Sequence, residues 1–213
     1  MARVVIAEDH EVVRDGLRRT LEAHGNEVVA ETGEGLKVVD LVEAAAPDVV
    51  LLDLGLPGLH GLDVLHQLAR VRHVRVLVLS AEGRDDFVVR ALQGGARGYL
   101  LKSCSAQELA DGVSTVAAGG YFVTTELSNA LVRSLVDGSP PAVDPYEALS
   151  DREREVFYSM AEGRSNALIG DRLFISERTV ETHRARILKK LGLRTQTDIV
   201  LYALRRGVIR LDS

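Results

Sequence analysis

Four short apolar runs in the first half of the chain each end on residues able to take part in phosphate or metal chemistry. RVVIAE (3–8) leads into Glu8 and Asp9, DVVLLD (48–53) ends on Asp53, RVLVLS (75–80) on Ser80 and GYLLK (98–102) on Lys102. If these runs are parallel strands of one sheet, their carboxyl ends meet at a single crevice, where open α/β sheets take their ligands. Three carboxylates there repel one another unless a hard divalent cation lies among them. Mg²⁺, or Mn²⁺ in its place, suits the site because it takes a few carboxylates and leaves positions open for phosphate oxygens. A hydroxyl and an ammonium on neighbouring strands then complete a phosphoryl site, since phosphoryl transfer asks mainly for positioning and charge neutralisation. Any one of these residues alone is explained as a solvated strand end. All five in register point to chemistry.

The elements that must hold them follow from periodicity. A further apolar run, EVVAE (27–31), joins the four. Their Val, Ile and Leu content and lack of alternation suit strands buried on both faces. Helical spacing fills the intervals near 11–24, 34–46, 61–71, 84–94 and 105–118, with Ser105 and Glu108 as a capping box. Five βα units in series predict an α/β domain with a doubly wound, five-stranded parallel sheet.

Over roughly 1–120 the sequence resembles the receiver domain of two-component response regulators, with a flavodoxin-like or CheY-like fold. The resemblance is carried by Glu8-Asp9, by Asp53, Leu54, Pro57 and Gly61 in DLGLPGLHGLD, by Ser80-Ala81 and by Gly98-Tyr-Leu-Leu-Lys102. It implies that Asp53 accepts a phosphoryl group from a cognate histidine kinase. It also implies that Glu8, Asp9, the Asp53 side chain and the Gly55 carbonyl hold Mg²⁺. Ser80 and Lys102 would contact the phosphoryl oxygens, and Tyr99 would change rotamer as Ser80 moves. The chain departs from the family at Ser103, where proline often follows the lysine, and at Leu56, where methionine is frequent. Neither change removes a chemical group.

Beyond Gly119-Gly120 the pattern changes. A connecting helix is expected at 126–137, then a linker at 138–146 marked by Pro140, Pro141 and Pro145. The domains are therefore 1–120, a connection over 121–146, and an all-helical domain over 147–213. Ser150 and Glu153 form a second capping box before 151–162. Helices follow at 166–174, from Ser176 to about Leu191 with Gly192 as its stop, and from Thr195 to Arg206.

The stretch from Leu149 to Leu193 resembles the helix-turn-helix domain of the NarL/FixJ (LuxR-type) regulators. Ser165-Asn166, Ile169, Leu173, Ile175-Ser176, Thr179-Val180, His183, Ile187 and Lys190-Leu191 are among the matching positions. Gly170 stands where alanine is usual, at a cost of roughly 1 kcal/mol in helix propensity. Spacing alone divides the 176–191 helix into two faces. Val180, Ile187, Leu188 and Leu191 face the core; Arg178, Glu181, Thr182, Ala185 and Lys189 share the opposite side. The second helix of such a pair enters the major groove of double-stranded DNA with its N-terminal half on base edges. Glu181 and Thr182 are then the expected base readers, Glu181 as an acceptor for a cytosine amine. Arg178, Arg184, Arg186 and Lys189 are expected on phosphates. The last helix, with Ile199, Tyr202, Ala203 and Leu204, is expected to pair across a two-fold axis, giving a homodimer on phosphorylation or on DNA. Until Asp53 is phosphorylated, the receiver is expected to cover the recognition helix.

Charge agrees with this division. From Glu147 onward 13 basic residues face 10 acidic ones, while residues 1–146 hold 13 basic and 21 acidic. The single cysteine, Cys104, suits a reducing compartment. The acidic start does not read as a signal peptide, and no apolar run reaches membrane-spanning length. A cytoplasmic protein without membrane contact is expected. The six histidines show no ligand spacing. A haloacid-dehalogenase-type hydrolase wants Asp-x-Asp, whereas Leu54 and Gly55 follow Asp53, so no enzymatic turnover is expected beyond phosphorylation and dephosphorylation of Asp53. A receiver that never takes phosphate and serves as a DNA-binding scaffold is the other reading, against which the complete acidic set argues.

Overall fold

The computed structural model describes residues 1–71, 73–81, 83, 85–124, 145–206 and 208–209. The expected connecting helix at 126–137 and the linker as far as 144 lie outside the described residues. The chain forms two compact units.

In the first unit the apolar runs become β1 (Arg3–Ala7), β2 (Glu27–Thr32), β3 (Val49–Leu52), β4 (Arg75–Ser80) and β5 (Gly98–Leu101). Between and after them lie α1 (Glu11–Ala23), α2 (Val38–Ala45), α3 (Gly61–Leu68), α4 (Asp85–Gln93) and α5 (Ala106–Ala117). A sixth strand, β6 (Phe122–Val123), was not expected. It pairs in parallel with β5 through Gly98–Phe122 and Tyr99–Val123. Two residues carry no period, so nothing in the local pattern announces it. The sheet order is β2-β1-β3-β4-β5-β6. All its pairings are parallel. β3 is buried at every residue, which explains its unbroken Val-Val-Leu-Leu. Helix α1 packs beside α5, while α2, α3 and α4 pack in succession. One apolar core gathers Ile6, Leu21, Val49, Leu51, Leu77, Leu79, Leu100, Leu109 and Val113.

The second unit holds α6 (Asp151–Ala161), α7 (Asn166–Leu173), α8 (Glu177–Leu191) and α9 (Gln196–Arg206). Both predicted capping boxes form, at Ser105–Glu108 and Ser150–Glu153. Gly192 ends α8 at φ 68°. Its core includes Val156, Phe157, Met160, Ile169, Val180, Ile187, Ile199 and Ala203.

Two expectations change here. Tyr146, read as linker, lies in a 3₁₀ turn over Pro145–Ala148. Its ring is fully buried and meets Phe157 edge to face, centroids 5.2 Å apart. The prolines drew the linker reading, but an aromatic ring of this size finds more free energy in the core than in solvent. In α9, Ile199 and Ala203 are buried and Tyr202 meets Phe157 edge to face at 5.9 Å. Ile199 and Ala203 hold the unit's own core together and are not free to pair across a two-fold axis, while Tyr202 and Leu204 are half-buried. Leu201 points outward instead.

Candidate functional sites

Strand register places the polar groups. Ala7 pairs with Leu52, Leu52 with Val78, and Ser80 with Leu101. The ladder continues past the strands: Asp53 N donates to Ala7 O and Lys102 N to Ser80 O, both at 2.9 Å. Glu8 and Asp53 therefore stand level, with Ser80 one residue and Lys102 two residues further along the next two strands. The chain reverses its order between β1 and β3, so Glu8 and Asp53 flank the switch point where such sheets bind ligands. Gly61 lets the loop after β3 close: a Cβ there would come within 2.4 Å of Asp53 O, and Gly61 N donates to Leu54 O at 2.9 Å. Only glycine permits that approach beside the acidic crevice.

Lys102 lies between the acids. Its Nζ is 2.6 Å from Glu8 Oε2, 2.9 Å from Glu8 Oε1 and 3.0 Å from Asp53 Oδ2. Burial works against its charge, but hydrogen bonds and charge from Glu8 and Asp53 outweigh that and hold its pKa above the usual value. Glu8 and Asp53 are buried, Asp9 is partly exposed at the rim, and Gly55 is half-buried. Ser80 and Tyr99 are fully buried at their strand positions.

Two neighbours were not anticipated. Arg14 NH1 on α1 donates to Glu8 O at 2.7 Å, pinning the end of β1. His10 brings Nδ1 to 2.7 Å from Asp9 Oδ1 and 3.1 Å from Glu8 Oε1. These carboxylates raise its pKa, Asp9 most of all. Glu8 and Asp9 were expected here, but an adjacent histidine at a strand end has no telling spacing, so His10 leaves no periodic signal.

The donor set of the crevice, carboxylate oxygens gathered at strand ends, is of the kind that fits a divalent cation. Glu8 Oε2 and Asp9 Oδ1 are shut off from solvent and accept no hydrogen bond, although Lys102 and His10 stand close as ion partners. Buried carboxylate oxygens in that condition are suited to a hard cation.

In the second unit, Ser176 caps α8 by accepting from Thr179 N at 3.1 Å. Val180, Ile187 and Leu191 are buried, and Leu188 is half-buried. Arg178, Glu181, Thr182, Ala185, Arg186 and Lys189 are exposed. Thr182 Oγ1 donates to Arg178 O at 3.0 Å, leaving its methyl and lone pairs outward. Arg184 differs from the other cations, because its NH2 donates to Gln196 Oε1 at 3.1 Å. Lys190 braces the fold, donating to Ala148 O at 2.9 Å and to Glu153 Oε2 at 2.6 Å. The tight turn before α8 relies on Gly170, whose Cβ would sit 2.7 Å from Ile175 O. That approach gives the propensity-poor glycine a structural reason.

Residues 4–114 match the family model described as the response regulator receiver domain. Residues 147–203 match that of bacterial regulatory proteins of the luxR family. The transcriptional regulatory protein LiaR of Bacillus subtilis is 35% identical over 211 residues, covering 98% of this chain and all of that one. The transcriptional regulatory protein DegU of Brevibacillus brevis is 34% identical, covering 98% of this chain and 95% of that one. Among solved structures, the response regulator ChrA of a heme-sensing two-component system is 34% identical with a TM-score of 0.53, over 97% of this chain and 98% of that one. No helix among the described residues is long and apolar enough to cross a membrane. With a receiver domain over its first half and a LuxR-type DNA-binding domain over its second, the chain belongs to the response regulators of two-component systems and is a transcriptional regulator.

Proposed function

We propose that Asp53 is the phosphoacceptor and that its phosphorylation controls DNA binding by α8. The observation that carries this reading is Lys102 Nζ lying 3.0 Å from Asp53 Oδ2 while also contacting Glu8 at the ends of adjacent strands. An Asp53 oxygen attacks phosphorus, a P–O bond forms and the bond to the donor breaks; in the cell the donor is the phosphohistidine of a kinase. Lys102, which contacts both Glu8 and Asp53, balances charge on the incoming phosphoryl oxygens. Glu8, Asp9, Asp53 and the Gly55 carbonyl would hold Mg²⁺ or Mn²⁺, which supplies charge neutralisation at those oxygens when bound. Ser80 turns toward the new phosphoryl group and Tyr99 follows it, a shift between two populations that a local charge change selects.

On DNA, Glu181 and Thr182 read base edges, with Ala185 between them and the backbone contacts. Arg178, Arg186 and Lys189 hold phosphates, joined by Arg184 once it leaves Gln196. The protein binds as a homodimer, with the outward Leu201 side of α9 as the pairing surface in place of the buried residues. It works in the cytoplasm.

The test is intact-mass measurement after incubation with a small-molecule phosphodonor. One added phosphoryl group is expected with Mg²⁺, and none with a chelator or in Asp53→Asn. Undiminished phosphorylation of Asp53→Asn would overturn the assignment.

A further inference from the structure

His10 belongs to the acidic crevice, yet the phosphoryl reading gives it no task. It stands at the N-cap of α1 with extended backbone (φ −78°, ψ 109°) and makes no side-chain cap. Its ring turns back onto the strand end, where Nδ1 meets Asp9 Oδ1 at 2.7 Å and Glu8 Oε1 at 3.1 Å. One ligand atom from each of Glu8, Asp9 and His10 lies within 4.8 Å of the others. Ligands around a first-row ion stand about 2.0–2.2 Å from it, so three atoms this close can close on one ion with small side-chain rotations. Glu8 is 1% exposed, and Lys102 Nζ, 2.6 Å from its Oε2, must give way for an ion to reach that oxygen, as the His10 ring must turn from its 2.7 Å contact with Asp9 Oδ1. The imidazole is largely exposed, so it can turn without repacking the core.

Ligand softness gives this arrangement a consequence. Mg²⁺ is satisfied by oxygen alone, whereas imidazole nitrogen favours Co²⁺, Ni²⁺ and Zn²⁺. We propose that His10 is a nitrogen ligand which, with Glu8 and Asp9, lets this crevice take borderline transition-metal ions as well as Mg²⁺. The inference rests on the crevice being a cation site. His10 is then a selectivity-determining residue: it sets which ion occupies the crevice when both kinds are present.

Metal titrations of the full chain test this, with Co²⁺ followed by its visible absorption and Mg²⁺ by calorimetry. In His10→Ala, Co²⁺ affinity should fall at least roughly tenfold, the lower bound for losing even an outer partner of a metal site. Mg²⁺ affinity should stay as in the wild type, which shows that the variant is folded. Asp9→Asn should weaken both ions. The inference is overturned if His10→Ala binds Co²⁺ as tightly as the wild type, if it loses both ions alike, or if Co²⁺ binding survives Asp9→Asn. A wild-type chain that binds neither ion would overturn the cation-site reading itself, and this inference with it.

Discussion

Lys102 keeps a positive charge in a half-buried place only because two buried carboxylates face it. Removing the ammonium leaves Glu8 and Asp53 opposed across 1% and 4% exposed positions. Lys102→Ala is therefore expected to destabilise the receiver unit by about 1–3 kcal/mol, the usual cost of a buried polar group without its partner. Mg²⁺ should restore more stability to this variant than it adds to the wild type, because it binds the folded acids in place of the lysine. Urea unfolding with and without Mg²⁺ reads both effects; equal Mg²⁺ gains in the two proteins would count against the shared role. Which residues the sheet gathers was legible in the sequence, since Asp53 and Lys102 each follow an unbroken apolar run. The pairing of His10 with Asp9 was not, because adjacent residues at a chain reversal have no period to read. Arg14 escaped for a related reason: its partner is the Glu8 carbonyl, and backbone acceptors leave no mark on sequence.

Helices and strands were legible to within a few residues wherever they were long. Helix α8 illustrates why: Val180, Ile187 and Leu191 repeat at helical spacing and are buried together. Spacing fixes which residues share a face, but not what that face meets. Ile199, Tyr202 and Ala203 of α9 do share a face, and it meets Phe157 and the interior of the unit. Strand β6 and the Tyr146 turn are too short for any pattern. Helix α8 also carries a pH dependence. Burial holds the His183 pKa below its ordinary 6.5, and Nδ1 has no hydrogen-bond partner. The unfolded chain therefore takes up this proton first, and the second unit should lose stability as pH falls below 6.5 toward the depressed folded value. Burial raises the Glu153 pKa, but Lys190 and the Ser150 cap more than offset that, so its folded value lies below 4.5. Its contribution is full above 4.5 and is lost as pH falls through the folded value. Unfolding curves across this range should show two separate losses. The first should vanish in His183→Gln; its persistence would place the effect elsewhere.

The whole chain divides its charge unevenly, with the acidic half carrying the Glu8–Asp9–Asp53 crevice and the basic excess lying in the half that carries α8. Non-specific attraction from that excess is modest, and Glu181 subtracts from it, so base reading must contribute much of the discrimination. Thr182→Ala should blur the preference between target and unrelated duplexes. Lys189→Ala should weaken all sequences alike and flatten the log–log salt dependence by roughly one unit. Competition binding at several salt concentrations separates the two, and equal loss of preference in both variants would contradict the division of roles. Coupling between the two units should appear in the DNA affinity of the full chain. Fluorescence anisotropy with a target duplex, with and without a small phosphodonor and Mg²⁺, should show tighter binding on phosphorylation of the wild type and no response in Asp53→Asn. A wild type whose affinity ignores the phosphodonor while intact mass shows the group in place, or an Asp53→Asn that tightens equally, would contradict it.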